Sequence, residues 1–259
     1  MLAAMFSGVF MAAAGDLHPI VEVESGFLFG ATLDGKWVKA DQAAKSIQPG
    51  TVYRVYSLTE KVGETKGSEP KSASEPCPDT LEVALSPKPE RGVIAIAATW
   101  NALLRKPRKA DATQKVYVDA VRDFLKKRGI KEPKVKITRI LRVDLEGDGE
   151  DEVLISATNY FSKDDGVPSS APAGSYSLVL LRRMVAGNLR TQLVAGEFYP
   201  SAENFNAPNS YDVGAVLDLD GDGKLEIVVH SGYYEGEATT IYRCEPVKIN
   251  AVLTVECGA

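Results

Sequence analysis

The chain has 259 residues, of which 44% are hydrophobic and 25% charged, with 30 basic and 35 acidic side chains and a net charge of −5. This composition belongs to a folded chain of one large or two ordinary domains and excludes wholesale disorder. The acidic balance argues against a nucleic-acid-coating protein. With only two histidines, His18 and His230, a multi-histidine metal centre is excluded.

Met1 to Gly15 carries no charged residue and includes Ala12-Ala13-Ala14. Residues 1–15 read as a secretory signal, too short for the ~20 apolar residues of a membrane span. No Lys or Arg precedes the apolar core, so a buried N-terminal segment is the alternative. Residues 16–110 read as β-rich. Phe27 to Leu33 alternates, Asp34-Gly35 follows, and Lys36 to Lys39 continues, which predicts a hairpin with a type I′ turn. Val52 to Leu58, Leu81 to Leu85 and Val93 to Ala98 are further strand candidates. Gly63 to Asp79 is rich in Gly, Ser, Glu, Lys and Pro and reads as an exposed, mobile loop.

A helix is expected over 111–129. Asp111 and Gln114 have capping-box spacing, Val116, Tyr117, Ala120, Val121, Phe124 and Leu125 form one apolar stripe, and Gly129 stops it. Strands return after Pro133.

The strongest signal is a repeat. Asp144-Leu145-Glu146-Gly147-Asp148-Gly149-Glu150-Asp151-Glu152 recurs as Asp218-Leu219-Asp220-Gly221-Asp222-Gly223-Lys224-Leu225-Glu226, 74 residues on. Apolar runs flank both copies. A hard cation such as Ca²⁺ takes six to eight oxygens at about 2.3–2.6 Å. Acids at positions 1, 3 and 5 converge on one if the chain curls. Glycines at 4 and 6 allow the curl, position 7 (Glu150 or Lys224) offers its carbonyl, and the acid at 9 closes the shell. An EF-hand would need an acid at position 12 and flanking helices. Position 12 is Ile155 in one copy and Val229 in the other, and the flanks are strand-like.

These loops resemble the calcium loops of FG-GAP repeats, as in integrin α-chain propellers. The resemblance covers the two loops and their strands, a third of the chain at most. It implies two Ca²⁺ ions, one on Asp144, Glu146, Asp148 and Glu152 and the other on Asp218, Asp220, Asp222 and Glu226, held in separate blades. No Phe-Gly…Gly-Ala-Pro signature precedes either loop. The expected fold is therefore mainly β (α+β overall), with two blade-like repeats at about 134–200 and 211–259 within 130–259. The alternative is a degenerate four-bladed propeller.

Other features are weaker. Arg105 to Arg142 holds 14 basic and 4 acidic residues, a solvated face or a contact for an anionic surface. Tyr160, Tyr233 and Tyr234 follow the loops and offer a sugar or peptide platform, against the usual packing role of tyrosine in strands. Cys244 and Cys257 flank a possible turn near Asn250 and can pair, and Cys77 can instead pair with either. No nucleophile elbow, zinc-protease motif, Walker loop or Rossmann fingerprint occurs, so no catalytic residue is assigned. The functional expectation is an exported calcium-binding module for adhesion or binding, with polysaccharide, peptide or an envelope surface as partner. The alternatives are an exported hydrolase with accessory calcium repeats, and an envelope subunit that uses Arg105–Arg142.

Overall fold

The computed structural model describes residues 16–160, 167–202 and 205–258, so the signal segment anticipated at 1–15 lies outside the described residues. The N-terminal region holds nine strands: β1 (Leu17–Glu22), β2 (Leu28–Leu33), β3 (Lys36–Lys39), β4 (Thr51–Tyr56), β5 (Lys61–Gly67), β6 (Lys71–Ser72), β7 (Leu81–Glu82), β8 (Leu85–Ser86) and β9 (Ile94–Ile96). A short helix α1 (Ala40–Ala43) follows β3. Seven strands form one antiparallel sheet in the order β3-β2-β1-β9-β4-β5-β8, and β6 pairs with β7. The Asp34-Gly35 turn is as expected, with both residues at positive φ. The loop anticipated over 63–79 is corrected: β5 runs through Gly67, and Thr65 is buried. Its glycines and charged residues fit an outer strand beside β4, where Tyr53 packs over Gly67.

Next come β10 (Arg108–Lys109), α2 (Lys115–Lys127), β11 (Ile137–Val143), β12 (Glu152–Thr158), β13 (Ser175–Val185) and β14 (Asn188–Tyr199). The last four strands are β15 (Ser210–Leu217), β16 (Glu226–Tyr233), β17 (Gly236–Cys244) and β18 (Ile249–Gly258). They build a five-stranded sheet, β10-β11-β12-β13-β14, and a four-stranded sheet, β15-β16-β17-β18. Among the described residues all strand pairs are antiparallel, and none of the sheets closes on itself. The chain is thus mainly β with two short α-helices among the described residues.

The sheets stack with the four-stranded one in the middle. On β16, Val228 packs with Ile20, Ile94 and Ile96 of the seven-stranded sheet. Its neighbours Ile227 and Val229 pack with Leu141, Leu154, Val179 and Leu181 of the five-stranded sheet. A strand covered on both faces needs an unbroken apolar run, which is why Ile227-Val228-Val229 does not alternate. Each such side chain contributes ~1.5–3 kcal/mol by burial.

The outer face of the five-stranded sheet is closed by α2, whose Tyr117, Val121 and Leu125 meet Ile140, Ile155 and Leu178. The helix starts later than expected. Asp111 turns its carboxylate onto the amide and hydroxyl of Thr113, so no capping box forms and Gln114 caps without a side-chain bond. Val116 is exposed rather than part of the stripe. Gly129 does stop the helix, at positive φ.

The anticipated Cys244–Cys257 bridge is also corrected. The disulfide joins Cys77 to Cys257, and Cys244 is free. Strand register explains it: Cys244 lies opposite Ile249 beside the turn, whereas Cys257 lies opposite Glu237 at the far end of the hairpin.

Candidate metal centre

Both acidic loops connect the first two strands of a repeat, β11 to β12 and β15 to β16, and the two curl alike. In the first, Asp144 accepts the amides of Gly147, Asp148 and Gly149. In the second, Asp218 accepts those of Gly221 and Gly223. Gly147, Gly149, Gly221 and Gly223 all have positive φ, the conformation that a side chain resists. The acid at position 9 reaches back in each copy. Glu152 accepts the Leu145 amide at 2.7 Å, and Glu226 accepts the Leu219 amide at 2.8 Å.

The loops differ in how closely their acids converge. Asp218, Asp220 and Asp222 bring one carboxylate oxygen each within 4.8 Å of one another, and among the described residues no other trio of acidic, histidine or cysteine side chains does so. Asp218, Asp220 and Glu226 are buried. Burial and the neighbouring carboxylates push Asp220 up to about 6 and raise Asp218 and Glu226 as well. This is a hard-oxygen set with unbalanced negative charge, and it fits a divalent cation. In the first loop Glu146 lies 3.0 Å from Arg183, and its acids form no such trio. Burial acts on Asp144 too, but the amides of Gly149 and Gly147 and the charge of Arg105 outweigh it and hold the group low. Glu152 is raised by burial. Among the described residues the side chains of Glu150 and Lys224 have no hydrogen bond or ion pair, and their amides donate to Asp148 and Asp222.

Residues outside the loops complete the site, and their spacing gave no signal of it. Arg243 spans the second loop, 2.8 Å from Asp220 and 2.7 Å from Asp222. Arg183, wholly buried, also donates to Gln192 Oε1 and to the Glu245 carbonyl. Arg105 ties the loops together. Its Nε donates to the Asp144 carbonyl and its Nη2 to the carbonyls of Leu145 and Gly223. The Leu225 amide adds a direct bond to the Leu145 carbonyl, 2.9 Å. The loops, expected in separate blades, therefore meet. Trp100 donates Nε1 to the Asp218 carbonyl at 2.9 Å, and its ring lies under Gly221.

The other anticipated residues fall elsewhere. Tyr160 is no open platform, since its hydroxyl is spent on the Asn209 carbonyl and burial raises its pKa. Tyr233 and Tyr234 meet edge to face, and Tyr234 also meets the exposed Phe205. Five of the fourteen basic residues of 105–142 form ion pairs: Arg108 and Arg142 with Asp151, Lys115 and Arg122 with Asp119, and Arg139 with Asp212. Comparison of the chain with protein-family models, curated proteins and solved structures finds no significant match.

Proposed function

We propose that the chain is a calcium-stabilised binding module that works outside the cytoplasm. The observation that carries this reading is the convergence of Asp218, Asp220 and Asp222, backed by buried Glu226, with too little positive charge to balance them. Asp144, Asp148 and Glu152, with Glu146 once it turns away from the fixed Arg183, would hold a second ion. A bound divalent ion supplies positive charge and bridging oxygen contacts, which pin two adjacent hairpins between three sheets. The strand–loop–strand repeats are read as blade-like on the same ground. The Cys77–Cys257 disulfide, which closes most of the chain, supports an oxidising compartment.

The test is thermal unfolding of residues 16–259 with chelator, then with Ca²⁺ returned. A melting temperature that rises and saturates with Ca²⁺, and less with equal Mg²⁺, is the expected result. No shift with either ion, together with silent calorimetry, would reduce the loops to acidic turns.

A further inference from the structure

A cleft of about 810 Å³ opens where β15, the free edge of the four-stranded sheet, faces β10 and β11. Its two walls differ in charge. Lys109 and Lys136 stand on the five-stranded side, and neither belongs to an ion pair among the described residues. Arg139 beside them is already neutralised by Asp212 at 2.7 Å. Opposite lie His230, Ser231 and Glu237.

His230 is oriented by its neighbours. Its Nδ1 lies 2.7 Å from Thr239 Oγ1. The Thr239 hydroxyl has one proton and donates it to the buried carboxylate of Glu22, which can only accept. The proton of the His230–Thr239 bond therefore sits on Nδ1, and in that tautomer Nε2 is the ring's acceptor. Ser25 fixes the other Glu22 oxygen at 2.5 Å. The ring lies against Gly214, the bulge of β15, in space that a Cβ would fill: that atom would stand 2.4 Å from Nε2. Burial and the carboxylates of Glu22 and Glu24 raise the pKa of Glu237, the second acceptor on this wall.

A ligand suited to both walls carries one anionic group and several hydroxyls. A bare dianion would meet the acidic wall, and a neutral sugar would leave the lysines unused. We propose that the cleft binds an acidic sugar, with its carboxylate on Lys109 and Lys136 and its hydroxyls donating to His230 Nε2 and the Glu237 carboxylate. The volume is that of an ordinary small-ligand site. A neighbouring groove of about 580 Å³ shares Tyr211, Ser231 and Glu237 with it and runs past Tyr233, which gives a sugar chain room to continue. The proposal names the ligand class of the binding module and rests on that reading for the calcium-loaded state.

The experiment is calorimetric titration of the calcium-saturated protein with galacturonate, galactose, acetate and trigalacturonate in parallel. Galacturonate is expected to bind about tenfold or more tightly than galactose or acetate, a margin set by paired charge-assisted contacts. Trigalacturonate should match or exceed it. Lys109→Gln with Lys136→Gln should erase the advantage over galactose, and His230→Gln should erase the advantage over acetate, with melting temperatures unchanged. Galacturonate that binds no better than acetate, no better than galactose, or not at all overturns the proposal, as does binding that ignores these substitutions. The calcium heats recorded first keep the two readings apart. A calcium response without galacturonate binding removes the ligand and leaves the module. Galacturonate binding without a calcium response does the reverse.

Discussion

Arg183 and Arg243 hold the same place in the two repeats, and each grips the acid at position 3 of its own loop. Arg182 lies opposite Val153 and Tyr242 opposite Ile227, so each arginine is the next residue of the third strand. The partners are Glu146 and Asp220. The repeat therefore extends over three strands, although its offset is 74 residues at the loops and 60 at the arginines. The difference is the longer segment between β12 and β13.

The equivalent arginines differ in freedom. The side chain of Arg183 is 1% exposed and that of Arg243 is 32% exposed. Arg243 can swing away from an arriving ion. Arg243→Gln should raise calcium affinity about three- to tenfold, the size expected for removing one partly screened competing charge. Calorimetry reads this directly, and a weaker affinity would recast Arg243 as support for the bound state. Arg183 cannot leave without exposing a cavity and orphaning two acceptors. Arg183→Gln should cost on the order of 3 kcal/mol in urea unfolding.

The raised carboxylates set a pH dependence whose sign depends on the ion. Without metal, Asp218, Asp220, Glu152 and Glu226 have folded pKa values above their unfolded ones, through burial first and mutual repulsion second. The stability that they contribute is complete below the unfolded value near 4 and is lost as pH rises through about 6 at Asp220. With chelator, these groups should favour the fold at pH 5.5 over pH 7.5. Calcium needs the same groups ionised, so its stabilising effect should be larger at pH 7.5. Thermal melts at both pH values, with and without Ca²⁺, give the comparison. A calcium gain equal at the two would exclude these acids as the ligands.

Local chemistry was legible in the sequence, and long-range pairing was not. Asp34-Gly35 and the two Asp-x-acid-Gly-Asp-Gly loops carry their geometry in residue types that demand positive φ, so the chain announces them. Val93 to Ala98 was readable as a buried strand for the same reason as Ile227 to Val229, an apolar run covered on both faces. The loop anticipated over 63–79 misled because Gly63 and Gly67 look like turn residues, yet Gly67 makes room for Tyr53 on the adjacent strand. Arg105, Trp100 and Arg243 could not be found by pattern. They reach the loops from 21 to 118 residues away, and an arginine or tryptophan in isolation has no signature for such a contact.

Trp100 should report on the second loop. It is one of two tryptophans, and its ring sits about 3.3 Å from where a Cβ on Gly221 would stand. An ion drawn in by Asp218, Asp220 and Asp222 tightens the backbone at Gly221 and the carbonyl that Trp100 bonds. Calcium titration should therefore change intrinsic emission, and Trp100→Phe should abolish the change while leaving calcium heats in place. A signal that survives in that variant would have to come from Trp37. Gly221→Ala should lower stability by about 1–2 kcal/mol, because the alanine would take a strained φ against the indole.

The disulfide gives the largest stability effect expected of a single side chain. Cys77 and Cys257 are 180 residues apart, so their bond removes a great deal of freedom from the unfolded chain. Loop-closure entropy for that span corresponds to about 5 kcal/mol, an upper value because the denatured chain is not a random coil. Thr80 adds a bond to the Glu256 carbonyl beside it, so the loop from Pro76 docks on β18 even before the sulfurs are counted. Cys77→Ser should lower the urea midpoint sharply and expose a second titratable thiol, while Cys244→Ser should change little. Burial holds the Cys244 thiol up to about 12, so it should react with thiol reagents slowly in the native protein and fully in urea. Thiol counting under both conditions separates the pairings. One slow thiol that Cys244→Ser removes places the bond at Cys77–Cys257, whereas a thiol that Cys77→Ser removes would restore the hairpin pairing.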